Sequence, residues 1–194
     1  MLKTRELTLI ILFGVTAFVY QASIGQLPLL ITGIPGLGYI LVIGLRIIFG
    51  TAFLFFEGKR WRYFFCYVLF CLLLSFIHLS TNPFYVFANI PSLINGFTSD
   101  VIFNSFYKKF QRQHRLNWLA MIQMTVSSTL DIFLRILILP VLMPPEFTST
   151  FTYVTMLLLP LVMFYGIIGG YIAFKIYSIV DEPLTIRITK NRVL

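Results

Sequence analysis

Residues 108–115 read KKFQRQHR, and this basic stretch separates two long apolar segments, 84–107 and 117–142. Each has roughly the 17 to 25 residues, or slightly more with tilt, with which an α-helix crosses a hydrocarbon layer of about 30 Å. The same alternation runs along the whole chain. The apolar segments are 7–24, 39–56, 62–80, 84–107, 117–142 and 152–178. The sequence therefore predicts an all-α, multi-pass membrane protein with six transmembrane helices.

The composition agrees with this fold class. Hydrophobic residues make up 58% of the 194 residues and charged residues 11%, whereas a soluble domain carries roughly 25% charged residues. The net charge of +8 does not indicate nucleic-acid binding, because the basic residues form short clusters between apolar segments, where they orient a chain during membrane insertion. We expect one six-helix domain over 1–183 and a basic cytoplasmic tail over 184–194.

The basic residues are predicted to lie on one side of the membrane. The connectors 25–38, 79–83 and 143–151 hold no Lys or Arg. The two ends of the chain and the other connectors hold thirteen of the fifteen Lys and Arg residues. Because cytoplasmic loops are enriched in Lys and Arg, both termini are predicted to be cytoplasmic. The thirteen are Lys3, Arg5, Lys59, Arg60, Arg62, Lys108, Lys109, Arg112, Arg115, Lys175, Arg187, Lys190 and Arg192.

The connectors also carry signals for local structure. The first outer connector, 25–38, reads GQLPLLITGIPGLG and is uncharged and apolar, so we expect it to fold back over the helix ends as a lid or re-entrant segment. Proline disfavours helix in the residue before it. The prolines at 82–83, 144–145 and 181–183 are therefore predicted to begin the fourth helix, end the fifth and end the sixth.

Four charged side chains fall well inside the apolar segments: Arg46, Asp100, Asp131 and Arg135. A charge near the bilayer centre costs about 2.5 to 3.5 kcal/mol on insertion scales, so each one needs a partner or a water-filled cavity. Asp100 lies toward the inner side of the membrane. We expect it to pair with a basic side chain there.

Polar residues follow one face of two predicted helices. They recur at every fourth position on the fifth helix, and at spacings of three and four on the fourth, so each set forms a stripe. At a rise of about 1.5 Å per residue, Arg46, Ser92 and Arg135 all lie roughly 10 to 12 Å below the outer helix ends. The two stripes, which predict a shared crevice, are Gln123, Ser127, Asp131 and Arg135, and Asn89, Ser92, Asn95 and Ser99.

Two interpretations fit these residues. In one, Asp131 and Arg135 form an ion pair that stabilises the bundle, together with hydrogen bonds between helices. In the other, Arg46 and Arg135 bind an anionic or strongly polar small molecule in an outward-opening pocket, and Asp131 orients an arginine. The candidate ligand-binding residues are Arg46, Tyr85, Asn89, Ser92, Asn95, Asp131 and Arg135, with Tyr85 stacking near the entrance.

The cysteines, the histidines and the sequence motifs indicate no catalytic or metal site. Cys66 and Cys71 lie in an apolar segment and are predicted to be buried thiols, and His78 and His114 fall on opposite sides of the membrane. The sequence contains no nucleophile elbow, metal-ligand spacing or nucleotide-binding signature. We therefore predict no enzymatic activity, no cofactor and no metal site, and expect any transport to draw energy from a partner or an ion gradient.

Six spans with both ends inside, a long apolar first outer loop, and the phrase NIPSLINGFTSD at 89–100 resemble the substrate-binding S component of an energy-coupling factor transporter. The resemblance implies a prokaryotic plasma membrane and capture of a vitamin-like micronutrient, in a pocket made by that loop and the fourth to sixth helices. It also implies docking through the first helix onto a transmembrane coupling subunit, which two cytoplasmic ATPases power.

Members of that family often carry an Ala-x-x-x-Ala pair on the first helix, because small residues let a partner approach closely in lipid. Here the small residues Gly14, Ala17 and Ala22 are the expected partner-docking residues, but Gln21 stands four positions after Ala17. A second close-packing surface is available on the sixth helix. Its small residues are Gly166, Gly169, Gly170 and Ala173.

Two other functions fit the same sequence. One is a structural subunit of a membrane complex, in which the polar stripes pack against other subunits and no pocket exists. The other is a stand-alone carrier driven by protons through Asp100 and Asp131.

The predicted orientation can be tested by cysteine labelling. A single cysteine introduced into 108–115, with Cys66 and Cys71 replaced, is expected to resist an impermeant thiol reagent in intact cells, because that loop is cytoplasmic. It is expected to react once the cells are opened. A cysteine in 143–151 is the exposed control, and labelling of 108–115 from outside would overturn the topology.

Overall fold

The computed structural model describes residues 2–81, 86–87 and 89–190, and no β-strand occurs in them. A π-helical turn, Gln21–Gly25, follows the first helix directly, and a 3-10 helix, Leu37–Leu41, precedes the third. The all-α class is confirmed. The helices are α1 Thr4–Tyr20, α2 Leu27–Thr32, α3 Ile43–Phe55, α4 Arg62–Thr81, α5 Ile90–Arg112, α6 Leu116–Leu142 and α7 Pro145–Lys190.

Within the described residues, three helical stretches are long and apolar enough to cross a membrane: Thr4–Thr32, Leu116–Val141 and Thr148–Val180. Two further apolar stretches, Ile43–Phe55 and Arg62–Ile77, are shorter. These lengths support a membrane protein. The count of six spans and the cytoplasmic position of both termini stay predictions from the sequence.

The proline signals predicted helix limits unevenly. The limit at 144–145 is confirmed, since α6 ends at Leu142 and Pro145 begins α7. The signal at 82–83 lies outside the described residues. Helix α5 begins at Ile90 and has Pro91 in its first turn. A proline there costs no hydrogen bond, because the backbone N–H groups of the first turn have no acceptor within the helix. The predicted stop at 181–183 is wrong, because α7 continues to Lys190. A proline inside a helix removes one backbone hydrogen bond and can kink the helix without ending it.

The first connector folds back over the helix ends, as its composition predicted. Gly33 and Gly36 have φ angles of 69° and 93°, left-handed values that glycine adopts without steric cost. A Cβ atom on Gly36 would lie 3.2 Å from the Thr155 side chain, and the ring of Tyr39 lies 6.4 Å from that of Phe151. The connector therefore lies against α7.

Helix α7 packs closely against two helices of the same chain. A Cβ atom on Gly166 would lie 2.6 Å from Thr125 Cα, and one on Gly170 would lie 2.5 Å from Ala120 O. Both positions face backbone of α6, which cannot move aside. Gly169 leaves room for α3 in the same way, since its Cβ atom would lie 2.6 Å from Arg46 Cβ. The small residues of α7 thus stabilise the bundle itself through close helix packing.

A cluster of charges joins the start of α1 to the connector between α3 and α4. Glu6 contacts Lys59 Nζ at 3.3 Å and Arg62 Nη2 at 3.0 Å, and it accepts the Lys3 N–H at 3.2 Å. We call this end of the bundle the basic end. It contains the start of α1 and the turn before α4, as the predicted topology requires.

Asp100 has a different role from the expected one. Its carboxylate accepts the backbone N–H groups of Trp61 at 2.9 Å and Phe64 at 2.8 Å, and the Asn104 amide at 2.5 Å. Within the described part of the chain it forms no ion pair with a basic side chain. The first N–H groups of a helix lack intrahelical acceptors. Asp100 on α5 therefore caps the start of α4.

Replacing this cap tests its contribution. Asp100→Ala is expected to lower the free energy of unfolding by about 1–3 kcal/mol, because buried N–H groups lose their acceptor. Denaturant unfolding in detergent measures the change. Thr98→Ala, on the same helix, is the control, since the Thr98 hydroxyl only bonds the Ile94 carbonyl of its own helix. Equal stability of wild type and Asp100→Ala would contradict the capping role.

Candidate functional site

A cavity of about 490 Å³ lies at the end of the bundle away from Glu6, and we call this the cavity end. The end of α1, the first connector and the starts of α3, α5 and α7 surround it, together with the ends of α4 and α6. Small-molecule sites commonly measure about 300–1,000 Å³. The cavity is therefore large enough for a small organic solute.

Most of the cavity wall is apolar. Phe49 of α3 and Tyr67 of α4 stack with ring centroids 4.0 Å apart, and both rings reach the cavity. Leu30 of α2, at 72% exposure, also lines the cavity, which places the cavity directly beneath the surface there. The apolar and aromatic lining residues include Leu29, Leu30, Val42, Leu45, Phe49, Tyr67, Phe70, Leu74, Ile77 and Phe151.

The predicted ion pair between Asp131 and Arg135 is confirmed. Arg135 Nε donates to Asp131 Oδ2 at 3.1 Å, one helical turn away on α6. Ser92 of α5 donates to Asp131 Oδ1 at 3.1 Å and accepts from Arg135 Nη2 at 2.7 Å. The pair and Ser92 thus form a closed polar group that joins α5 to α6.

Tyr39 is a member of this group that the sequence did not indicate. Its hydroxyl donates to Asp131 Oδ2 at 2.9 Å, from the 3-10 helix at the end of the first connector. Asp131 therefore binds three parts of the chain: the connector, α5 and α6. The only signal in the sequence is an aromatic residue at the start of a predicted span, where aromatic side chains commonly lie at the membrane interface.

Arg46 lies in the same cavity, and its guanidinium has no such partner. The residue is 4% exposed, and its Nε has no hydrogen-bond acceptor in the described part of the chain. No carboxylate of these residues lies within 4 Å of it. A buried charge without a partner costs several kcal/mol. The ion pair explains why Asp131 and Arg135 are buried, but it gives no reason for the burial of Arg46.

The remaining predicted ligand-binding residues divide into two groups. Asn89 and Asn95 reach the cavity, but each amide also bonds a neighbouring helix: Asn89 Nδ2 donates to Ser75 at 3.1 Å and Asn95 Nδ2 to Ser127 at 2.9 Å. Tyr85 lies outside the described residues. The structure thus brings six of the seven to one cavity, namely Arg46, Asn89, Ser92, Asn95, Asp131 and Arg135.

The deeper part of the two polar stripes holds helices together. Ser99 and Gln123 are buried, and Gln123 Nε2 donates to the Tyr63 hydroxyl at 3.1 Å. Neither residue lines the cavity. The lower stripe residues therefore serve packing between helices of this chain.

Gln21 is another cavity residue that was not predicted as part of the site. It begins the π-helical turn Gln21–Gly25, and the lack of a side chain at Gly25 leaves room for the Gln21 amide. Single π-turns are frequent at functional sites. A polar residue within the apolar first span was the available signal, and it was noted only as a departure from the family pattern.

The small residues of α1 do not form an outer docking surface. Ala17 is fully buried, and a Cβ atom on Gly14 would lie 2.9 Å from the Leu69 side chain of α4. Ala22 lines the cavity. The close approach that these residues permit is used within the chain, and most of the exposed face of α1 is formed by large aliphatic residues. These include Leu7, Ile11, Leu12, Val15 and Val19.

Similarity to known proteins does not add to this description. No protein-family model, no curated protein and no solved structure matches the chain. The resemblance to S components stays a prediction from the sequence, and the function is argued from the cavity.

The two arginines are expected to differ in their effect on stability. Arg135→Gln is expected to lower the free energy of unfolding by about 3–5 kcal/mol, because it leaves the Asp131 carboxylate buried without its counter-ion. Arg46→Gln is expected to preserve or raise it, because Arg46 forms no close ion pair with the described residues and its longer-range attraction to Asp131 is shared with Arg135. Thermal unfolding of both variants in one detergent, without added ligand, measures the difference.

A double variant controls for loss of packing. Replacing the whole pair, as Asp131→Leu with Arg135→Met, is expected to recover part of the stability lost in Arg135→Gln, because it removes the unpaired charge but also the acceptor of the Ser92 and Tyr39 hydroxyls. An equal loss in Arg46→Gln and Arg135→Gln would show that Arg46 is a structural partner of the bundle, contrary to the contacts described above.

Proposed function

We propose that the chain is a membrane-embedded substrate-binding protein, which captures a small polar or anionic solute from the outer face and passes it to an ATP-driven transport complex. It would act as the S component of an energy-coupling factor transporter does. The observation that supports this most directly is Arg46, a buried guanidinium that has no close ion-pair partner among the described residues and lines a cavity of about 490 Å³.

The position of the cavity supports binding from one side. The first connector lies over it and contacts it through Leu29, Leu30 and Gly36. A solute that enters must pass between this connector and the helix ends. Because the connector end is held by the hydrogen bond from Tyr39 to Asp131, access to the cavity and the polar group on its wall are physically linked.

The partner in this proposal contacts the exposed face of α1. Gly14 and Ala17 pack against α4 and are not available to it. The aliphatic face carrying Ile11, Leu12 and Val15 is available, and it can bind either lipid or a transmembrane coupling subunit. The energy for uptake would come from the ATPases bound to that subunit.

The other two functions are less well supported. A structural subunit that packs its polar stripes against other chains would present them on its outside, but Ser99, Gln123 and Ser127 are buried within the bundle. A proton carrier through Asp100 and Asp131 would need carboxylates free to exchange protons. Asp100 caps α4 and Asp131 is paired with Arg135.

Purification from native membranes with partners attached tests the proposal. The protein is expected to carry a coupling subunit and two ATPases, and to release a small molecule when denatured, which mass spectrometry identifies. Leu74→Trp is expected to lose that molecule, because Leu74 lines the cavity and the larger ring fills it.

Leu72→Trp is the matched control. It makes the same change on the same helix, but Leu72 is 54% exposed and Leu74 is 5% exposed, so the control is expected to retain the small molecule. Respiratory or secretory subunits in place of ATPases, or the same small-molecule content in Leu74→Trp and wild type, would contradict the proposal.

A further inference from the structure

We infer that the solute is a monoanion, best met by a carboxylate on an apolar body, and that Arg46 binds its acid group. This inference rests on the proposed function, because it names the chemical class of the solute held in the same cavity. It depends on three properties of the described residues: the charge balance of the cavity, the free donor on Arg46 and the chemistry of the wall beside it.

The net charge of the cavity wall favours a solute with one negative charge. Among the described lining residues, the only Asp, Glu, Lys or Arg side chains are Arg46, Asp131 and Arg135. Asp131 and Arg135 neutralise each other through their 3.1 Å contact, so one positive charge is left in a largely apolar space. A monoanion brings the cavity to neutrality. A neutral solute leaves the guanidinium buried without a counter-ion, and a dianion brings in a charge that has no partner.

The donors of Arg46 favour an acid group with two oxygens. A guanidinium presents five N–H donors in a planar fork, which fits a carboxylate through two parallel hydrogen bonds. In Arg46 the Nε–H group has no acceptor among the described residues. A phosphate monoester has oxygens that fit the same fork, but it carries a charge of about −1.5 to −2 at neutral pH. The charge balance therefore favours a carboxylate.

The wall beside Arg46 favours an apolar body. Phe49 lies three residues after Arg46 on α3, and its ring stacks on Tyr67 and lies 5.4 Å from that of Phe70. All three rings line the cavity with Arg46. A polyhydroxylated solute would place hydroxyl groups against these rings without hydrogen-bond partners, which is unfavourable. An aromatic or aliphatic body can pack against them.

Three of the other polar groups of the cavity already form hydrogen bonds within the chain. The Asn89 and Asn95 amides donate to Ser75 and Ser127, and the Ser92 hydroxyl is bonded to both members of the ion pair. The Gln21 and Gln26 amides also line the cavity, but they are uncharged, so recognition of an anion is concentrated at Arg46. The combination of one anion-binding group and an apolar wall describes a site for an amphipathic monocarboxylate.

A matched set of four probes tests this class. They share a benzyl group and differ in charge: 3-phenylpropionate, 3-phenylpropionamide, 3-phenylpropylamine and benzylmalonate. Binding to the purified full-length protein in one detergent is measured by isothermal titration calorimetry. The monoanion is expected to bind about ten- to a hundredfold more tightly than the amide, the difference that a hydrogen bond to a charged group makes. The amine and the dianion are expected to bind more weakly than the monoanion.

Variants of Arg46 assign the effect to that side chain. Arg46→Gln is expected to reduce binding of 3-phenylpropionate to the level of the amide, and Arg46→Lys to retain part of the preference, since it keeps the charge but loses the fork. A thermal unfolding temperature of the ligand-free variants that equals or exceeds that of the wild type shows that the loss is one of binding. A preference for the acid that persists in Arg46→Gln would overturn the assignment.

The outcomes separate this inference from the proposed function. Equal binding of acid and amide, or a co-purified molecule that is neutral, cationic or dianionic, would contradict the inference while leaving a solute-binding protein. A co-purified monoanion that is lost in Arg46→Gln would support the inference even if the small probes bind too weakly to measure. Absence of any bound probe and of any co-purified small molecule would contradict both.

Discussion

Charge in a medium of low dielectric constant is the constraint on which this structure depends. Among the residues that the structure describes, three charged side chains reach one cavity at one end of an apolar bundle, and two of them, Asp131 and Arg135, neutralise each other at 3.1 Å. Asp131 also accepts hydrogen bonds from Ser92 and Tyr39. A single buried carboxylate therefore holds α5, α6 and the end of the first connector together around the cavity. The third charge, on Arg46, has no close ion-pair partner among the described residues, and in the proposed function it binds the solute.

Helix packing fixes where that third charge lies. Gly169 of α7 allows α3 to approach so closely that a Cβ atom there would collide with Arg46 Cβ. Gly50 of α3 does the same for Ala173, at 2.8 Å. In lipid, where no hydrophobic force drives helices together, such contacts between small residues supply much of the association. The position of Arg46 beside the cavity is thus a consequence of glycines on two helices.

Much of the candidate site could be predicted from the sequence, because burying a charged side chain in an apolar medium is unfavourable in any protein. A charge inside an apolar span needs a partner or a cavity, and helical periodicity placed Ser92 and Asp131 on facing stripes. These two residues are hydrogen-bonded in the structure. The class of fold was predictable for a similar reason, since apolar segments of that length in a chain with few charges have few alternatives.

Other features depend on contacts between distant residues, and no local pattern indicates them. Asp100 was expected to pair with a basic side chain, but it caps α4 by bonding Trp61 and Phe64, more than thirty positions away in the chain. Tyr39 binds Asp131 across 92 positions. The small residues of α1 and α7 were read as surfaces for partners, because sequence alone does not tell which helix meets a glycine. Packing within the chain uses most of them.

The central claim is that the Arg46 guanidinium is unsatisfied until a solute binds. Nuclear magnetic resonance of protein with nitrogen-15 in its arginines measures this directly, with Arg46→Lys identifying the Arg46 Nε–H signal. The account predicts that this proton exchanges faster in the solute-free protein and becomes protected, with a shifted resonance, when the solute is bound. A signal already protected without solute, and unchanged on its addition, would contradict the account.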